Sequence, residues 1–378
     1  MKTTRSTLLA ATTVLAVLVA PAAATADTAD PDPDPATRTG LQHRLDAITG
    51  SGALGAVAEV RRGDHVWRGS SGTARLHGTE PPPRRSAVRV GSITKTFTAT
   101  VVLQLVADGE LRLGDTVEQW LPGVLPDGDD VTVRELLSHT SGVPDYVATL
   151  PLPPRPRFLD IRLRDWTATQ LIERALTHGG QDDRVEPFSY SSTNYLLLGM
   201  IVEQITGQPY ATAIEERIID RLGLRHTYLP GTTVRIRAPH PHGYAMIGRG
   251  DAARAVDITR MNGSLLGAAG EVISTAADLN RFYEALLDGT LLPRRQLQAM
   301  TPPFGTPYGL GLMRRDLDCG VTAYGHDGDS LGYVTWTFVD RAADRQVTIS
   351  ITPWGSADPE PAVDAMLESV LCRPDRVS

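Results

Sequence analysis

Lysine is almost absent from this chain, since only Lys2 and Lys95 are lysines among 37 basic residues. Cysteine is equally scarce: two in 378 residues exclude a cysteine-rich scaffold, and no Cys-x-x-Cys, His-Glu-x-x-His or calcium-loop motif occurs. The formal net charge of -7 argues against a nucleic-acid surface, which needs clustered basic residues. We therefore expect no metal, no cofactor and no nucleic-acid partner.

Long apolar runs are also missing, and the one near the start is too short to span a membrane. Residues 8–19 are apolar, follow a positively charged start and precede small residues at 24–26, as in a signal peptide. A membrane span needs about 20 apolar residues. We interpret residues 1–26 as a signal peptide and residues 27–39, which are polar and proline-rich, as a disordered leader. The protein is then expected to be secreted, without a stable membrane anchor.

Residues 40–378 are expected to form one domain, because 41% of the chain is hydrophobic and 21% is charged. Patterns typical of strands lie near both ends, and helical periodicity fills the middle. The predicted strands cover residues 53–60, 64–70, 88–90, 320–324, 332–339 and 346–351. The predicted helices cover residues 93–107, 133–137, 168–177, 195–205, 210–219, 274–288 and 361–372. We predict an α/β (α+β) fold: an antiparallel sheet flanked by helices, with an all-helical subdomain inserted at roughly 105–290.

The retained Lys95 suggests a site that needs a neutral amine, because arginine cannot lose its proton near neutral pH and a desolvated lysine can. Ser92 lies three residues before Lys95, at the start of a predicted helix, so the two side chains share one face. A serine hydroxyl becomes a good nucleophile only when a base takes its proton. The spacing therefore predicts Ser92 as nucleophile and Lys95 as its activating partner; chance retention of one lysine is the alternative.

Two further stretches contain candidate proton donors and acceptors. Residues 188–192 place Tyr190 among small hydroxyls on a loop, where a phenol near cations can move protons. Residues 324–329 place His326 beside glycines at the end of a predicted strand, where backbone can approach a ligand closely. Each stretch alone is equally compatible with a core-edge tyrosine or an ordinary turn.

The order of these motifs resembles the penicillin-recognising serine enzymes: D-alanyl-D-alanine peptidases, class C β-lactamases and related esterases. The matching motifs are Ser-x-x-Lys at 92–95, Tyr-x-Ser at 190–192 and His-x-Gly at 326–328, supported by stretches 137–142, 195–199, 206–207, 242–244 and 308–312. The resemblance covers about residues 40–373 and implies a β-lactamase/transpeptidase-like fold. It is strongest to the D-alanyl-D-alanine carboxypeptidases that Streptomyces secretes.

That resemblance also implies a disulfide between Cys319 and Cys372. Export makes a disulfide possible, whereas the residues alone leave two free buried thiols as an alternative.

The resemblance implies a role for each site residue. Ser92 attacks a carbonyl, and Lys95 accepts or shares its proton. Tyr190 protonates the leaving group, and His326 keeps Tyr190 ionised or relays its proton. The backbone N–H groups of Ser92 and Asp329 form the oxyanion hole. Which of Lys95 and Tyr190 is the general base stays open.

One departure from the family pattern lies beside the catalytic lysine. Ser192 stands where the family usually has asparagine after Tyr-x. A serine hydroxyl can still bond Lys95 or a substrate amide. Asn194 is a nearby candidate for the same role.

A second departure concerns the substrate's carboxylate. Compared with the Streptomyces carboxypeptidases, Met313 replaces an arginine, and Asp327 and Asp329 replace two threonines on either side of Gly328. Two carboxylates repel a third, so a free C-terminal carboxylate is expected to bind badly unless Arg314 swings in.

The sequence thus predicts a secreted, monomeric serine hydrolase or acyltransferase that resembles a D-alanyl-D-alanine carboxypeptidase and forms a Ser92 acyl-enzyme. Its acyl donor is a small molecule or peptide: a D-alanyl peptide, an ester or a β-lactam. The alternatives are an esterase, an amide-forming transacylase or a β-lactamase. A non-catalytic penicillin-binding sensor is least favoured, because such a protein is expected to lose Tyr190 or His326.

Overall fold

Helices and strands are defined here from a computed structural model, which describes residues 35–179, 188–303, 305–354 and 358–372. The predicted signal peptide lies outside these residues, as does the predicted leader up to residue 34. The helices are α1 (Pro35–Gly50), α2 (Thr94–Asp108), α3 (Val117–Trp120), α4 (Val133–Ser138), α5 (Phe158–Ile161), α6 (Ala168–His178), α7 (Thr193–Thr206), α8 (Tyr210–Ile214), α9 (Ala276–Leu287), α10 (Arg294–Met300) and α11 (Glu360–Leu371). The strands are β1 (Ala53–Arg62), β2 (His65–Gly72), β3 (Val88–Arg89), β4 (Tyr244–Ile247), β5 (Arg254–Asp257), β6 (Ile273–Ser274), β7 (Met313–Asp316), β8 (Thr322–Asp329), β9 (Val334–Asp340) and β10 (Arg345–Pro353).

A six-stranded antiparallel sheet joins the two ends of the domain, in the order β2-β1-β10-β9-β8-β7. Strand β10 shows why this sheet needs cover on both faces. Its residues Val347, Ile349 and Ile351 are buried in one apolar cluster with α1 and α11. Between them, Thr348 on the other face donates a hydrogen bond of 2.8 Å to Asn280 of α9. The predicted sheet built from both ends of the chain is confirmed.

Helix α2 is the central helix of the second, larger core. Residues 94–105 are all buried, so the helix is enclosed on every side. Phe97 stacks on Phe282 of α9, with ring centroids 3.8 Å apart. Because α2 begins next to Ser92, this enclosure holds the start of the helix in a fixed position relative to the sheet.

Three sequence predictions about secondary structure are corrected. Residues 35–39, assigned to the leader, form the start of α1. The inserted region is not all-helical, because β4 pairs with β5 and β3 pairs with β6. These strands have only two to four residues, too few for a periodicity to be detected. Strand β8 continues to Asp329, past the predicted turn at Gly328, because it pairs with β9 throughout.

Cys319 and Cys372 form a disulfide, with their Cα atoms 5.9 Å apart, as the resemblance implied. It joins the turn before β8 to the residue that follows α11. Within the described ranges, no helix is both long and apolar enough to cross a membrane.

Candidate active site

Ser92 lies in a 3₁₀ turn, Gly91–Ile93, between β3 and α2, where the end of β8 presses against it. Gly91 has φ of 54°, and a Cβ there would lie 2.4 Å from the backbone oxygen of Asp329. A Cβ on Gly328 would lie 2.0 Å from the Val90 carbonyl oxygen. Only glycine permits both approaches, which bring the backbone of Asp329 beside the nucleophile. The oxyanion hole formed by the N–H groups of Ser92 and Asp329 stays a prediction.

Lys95 is 1% exposed, and its amine has three polar neighbours. Its Nζ lies 3.0 Å from Ser92 Oγ, 3.4 Å from Ser192 Oγ and 2.9 Å from the carbonyl oxygen of Ala269. A neutral amine has two N–H donors and one lone pair. In that form, donation to Ala269 and Ser192 leaves the lone pair to accept the Ser92 proton. An ammonium would donate to all three oxygens, so the contacts fit both forms of the lysine and its burial decides between them.

Burial also lowers the pKa of Lys95, to about 7, because the ammonium form is desolvated. Asp145 and Asp327 oppose this shift, since their negative charges favour the ammonium. Desolvation outweighs both carboxylates. About half of the lysine is then neutral near pH 7, as a general base requires.

Tyr190 hydrogen-bonds Ser92 and covers the lysine. The Lys95 amine lies 4.9 Å from the centre of the Tyr190 ring. Tyr190 is 39% exposed as a whole, but desolvation around its hydroxyl raises the pKa of the phenol, and the charges of Asp327 and Asp145 add to that shift. Tyr190 is therefore a protonated phenol in the resting site, suited to donating a proton rather than to taking one.

His139 supports Tyr190 from behind, a contact that the sequence did not predict. The two rings stack with centroids 4.1 Å apart. The His139 Nδ1 accepts the backbone N–H of Ser191 at 3.1 Å, which fixes the proton on Nε2. Burial lowers the pKa of this imidazole to about 2, so it stays neutral. The only available signal was the motif at 137–142, which marked the segment without indicating a role.

His326 has Tyr308 as its side-chain hydrogen-bond partner. Nε2 of His326 accepts the Tyr308 hydroxyl at 3.2 Å, and Nδ1 donates to the carbonyl of Asp327. Burial lowers the pKa of His326 to about 4, so it is neutral at pH 7. No hydrogen bond joins it to Tyr190 in the described part of the chain. The predicted role of His326, to keep Tyr190 ionised or relay its proton, stays a prediction. The Tyr308 ring meets Tyr190 edge-on with centroids 6.1 Å apart and also contacts the His326 ring.

A cavity of about 260 Å³ opens onto Ser92 and Lys95. Its lining residues include seven aliphatic or aromatic side chains: Tyr146, Val147, Leu150, Leu152, Leu265, Leu266 and Leu331. Two carboxylates, Asp145 and Asp329, also line it, and burial raises the pKa of both. Asp145 Oδ1 accepts the N–H of Ser192 at 3.2 Å, which ties this carboxylate to the catalytic loop. The cavity suits an apolar side chain beside a positively charged group.

Several predicted substrate-binding residues lie elsewhere. Met313 packs against the cluster of α1 and α11, because alternation along β7 turns it to that face of the sheet. Arg314 is paired with Asp316 through contacts of 2.8–3.0 Å, so it does not reach into the site. Asn194 is fully buried and accepts a 2.7 Å hydrogen bond from Ser141, which leaves Ser192 as the neighbour of Lys95.

Asp327 is the other substrate-binding prediction that the structure alters. Its side chain is 47% exposed and lies 3.7 Å from His326, and it is not part of the cavity wall. Its charge still acts on Lys95 at longer range. No group of three or more His, Cys, Asp and Glu residues in the described ranges is placed to hold a metal ion.

Comparison with known proteins gives one family match and many relatives. The family model described as Beta-lactamase matches residues 41–370. A D-stereospecific amidohydrolase from Streptomyces sp. superposes with a TM-score of 0.81 at 39% identity, over 89% of this chain and 100% of that chain. A D-amino acid amidase from Ochrobactrum anthropi SV3 gives 0.76 at 27% identity, over 88% and 98%.

Among sequence relatives, Penicillin-binding protein 4 of Amycolatopsis lactamdurans is 34% identical over 277 residues, which are 66% of this chain and 68% of that protein. The solved structures confirm the β-lactamase/transpeptidase-like fold. The stronger likeness to secreted Streptomyces carboxypeptidases stays a prediction.

Proposed function

Since the chain belongs to the Beta-lactamase family, we propose that it is a serine amidohydrolase acting on amides that have a free amino group and an apolar side chain. The observation that carries this proposal is the cavity beside Ser92, which combines an apolar wall with the carboxylates of Asp145 and Asp329. The amidohydrolase and the amidase found among the solved structures support the same reaction class.

The reaction follows from the contacts of the catalytic side chains. Neutral Lys95 takes the proton of the Ser92 hydroxyl while Oγ forms a bond to the substrate carbonyl carbon. The N–H groups of Ser92 and Asp329 stabilise the oxyanion. Tyr190, which is hydrogen-bonded to Ser92 in the resting site, gives its proton to the leaving nitrogen as the C–N bond breaks. Water then attacks the ester carbonyl and gives its proton to the Tyr190 phenolate, while Ser92 leaves with the proton that Lys95 holds. This step releases the acid and restores the Ser92 hydroxyl, neutral Lys95 and the Tyr190 phenol.

In this account Lys95 is the base and Tyr190 is the acid. The assignment rests on opposite effects of burial. Desolvation lowers the pKa of Lys95 to about 7 and raises that of Tyr190, so each resting form already suits its step.

The substrate class follows from charge. A free carboxylate next to Asp145 and Asp329 meets like charge, which at about 4 Å costs about 4 kcal/mol at an effective dielectric of 20. An ammonium at the same place is attracted by a similar amount. Arg314, the cation that was expected to offset the repulsion, is held by Asp316. We therefore favour an amino acid amide over a peptide with a free C-terminus. An ester of the same amino acid is the second candidate, because it forms the same acyl-enzyme with a better leaving group.

A set of matched substrates tests this proposal. The set comprises D-phenylalanine amide, its N-acetyl derivative, its L enantiomer and D-phenylalanyl-D-alanine, and kcat/KM is measured for each. We expect the free-amine D amide to exceed the N-acetyl derivative and the dipeptide by at least tenfold. Asp145→Asn is expected to remove most of the preference for the free amine, whereas Asp160→Asn, an exposed aspartate of α5, leaves it unchanged. If the dipeptide with its free carboxylate is the best substrate, the proposal is wrong.

A further inference from the structure

A second cavity, of about 470 Å³, lies between the β1–β2 hairpin, the segment before β3 and the start of α9. Among the described residues it shares no lining residue with the catalytic cavity. Its wall contains six arginines: Arg61, Arg68, Arg84, Arg85, Arg225 and Arg281. Of the residues that the structure describes, only two carboxylates, those of Glu59 and Asp278, line it with them. This excess of positive charge occurs in a chain whose net charge is -7. We call this cavity the arginine cleft.

Both carboxylates of the arginine cleft are already engaged. Glu59 is 2% exposed and accepts a 2.7 Å hydrogen bond from Arg68. Asp278 accepts the backbone N–H of His226 at 2.8 Å and the hydroxyl of Thr227 at 2.9 Å. Neither is bonded to Arg84 or Arg225 at the rim of the cleft.

Arg84 and Arg225 are exposed, and neither forms a hydrogen bond or ion pair with the described residues. The N-terminus of α9 lies at the same cleft. Thr275 caps this helix, and the next two residues, Ala276 and Ala277, line the cleft; their backbone N–H groups have no acceptor within the helix. Guanidinium groups and free helix N–H groups both bind phosphate oxygens.

We propose that the arginine cleft binds a small multivalent phosphate, of the size of two or three linked phosphoryl groups. One phosphoryl group accepts hydrogen bonds from the backbone N–H groups at the start of α9. The guanidinium groups of Arg84 and Arg225 bind the next phosphoryl group. Arg61 and Arg68 also line the cleft, where the buried Glu59 fixes their positions. A phosphate fits better than a single carboxylate, because its three peripheral oxygens can bond the helix and two guanidinium groups together.

Titration calorimetry of the full chain with sodium tripolyphosphate, at constant ionic strength, tests this site. We expect saturable binding of one ligand per chain, weakened at least tenfold in the double variant Arg84→Glu/Arg225→Glu. The matched control is Arg294→Glu/Arg295→Glu, which makes the same charge change on the exposed start of α10 and is expected to bind like the wild type.

Three results overturn the proposal. The first is no saturable binding by the wild type, and the second is equal loss in the cleft and control variants, which indicates attraction by net charge alone. The third is equally tight binding of citrate at the same ionic strength, which removes the preference for phosphate. Because the substituted arginines are all exposed, circular dichroism of each variant is expected to match the wild type.

Discussion

The Nζ atom of Lys95 lies 3.0 Å from the Oγ atom of Ser92, in a position where the amine is almost completely excluded from water. The carbonyl of Ala269 and the hydroxyl of Ser192 occupy the two N–H directions of a neutral amine. The lone pair of that form is then directed at the serine. The three oxygens also suit an ammonium, so burial is what favours the neutral amine, and the predictions below depend on that protonation state.

Lys95→Arg is expected to keep the positive charge and lose most of the activity. A guanidinium does not release its proton near neutral pH, so it cannot accept the Ser92 proton. General-base catalysis typically contributes about 10²–10⁴-fold, and kcat on the best amide is expected to fall by that factor. Thermal melting of the variant checks that the fold is intact. A folded variant with more than a tenth of the wild-type kcat would falsify the assignment of Lys95 as base.

The pH profile is expected to show one rise near neutrality. Because the active form has neutral Lys95, kcat/KM on N-acetyl-D-phenylalanine amide, which has no amine that titrates in this range, increases with pH through the lysine pKa of about 7 and levels off above it. His326 and His139, with pKa values lowered to about 4 and about 2, add no step between pH 5 and 9. The measurement is kcat/KM of wild type and His326→Gln over that range. Higher activity at pH 5.5 than at pH 8, or loss of the rise in His326→Gln, contradicts this reading.

His139→Phe tests the ring behind Tyr190. Phenylalanine keeps the stacking surface but leaves the buried N–H of Ser191 without its acceptor, which costs about 1–3 kcal/mol of unfolding free energy. Displacement of Tyr190 is expected to lower kcat about tenfold, with KM little changed. Denaturant unfolding and steady-state kinetics measure the two effects. If neither stability nor kcat changes, His139 is not a positioning residue for Tyr190.

Gly328→Ala is expected to separate β8 from the 3₁₀ turn that contains Ser92. The added Cβ would lie 2.0 Å from the Val90 carbonyl oxygen, so backbone must move. Such overpacking typically costs about 1–3 kcal/mol, and kcat should fall because Asp329 moves away from Ser92. Gly114→Ala is the control, since a Cβ there meets nothing within 4 Å. Wild-type kinetics in Gly328→Ala would show that this close approach does not matter.

Much of the fold was predictable from residue patterns. The alternation in β1, β2, β9 and β10 indicated one sheet from two distant parts of the chain, because each strand has a buried apolar face. Strand β7 was missed, since Met313–Asp316 is three-quarters polar and is stabilised by pairing with β8. Short elements of this kind depend on tertiary contacts that no local pattern contains.

The catalytic pair was predictable because Ser92 and Lys95 are close in sequence, whereas the groups around them were not. Ala269 contributes a backbone carbonyl, which leaves no signature in residue type. Asp145 lines the cavity because the loop between α4 and α5 passes beside it. His326 is hydrogen-bonded to Tyr308, a contact between residues 18 positions apart that no motif indicates. The sequence also did not show the direction of each side chain. The comparison with the Streptomyces carboxypeptidases therefore placed Met313 at the substrate, although it faces α1 and α11.

The most direct test of the account is acid-quenched intact-mass analysis with a nitrophenyl ester of D-phenylalanine. The ester acylates quickly, so the acyl-enzyme accumulates before hydrolysis. We predict a single added acyl group in the wild type, mapped by peptide digestion to Ser92, and none in Ser92→Ala. An adduct that persists in Ser92→Ala, or that maps to another residue, contradicts the central claim that Ser92 is the nucleophile.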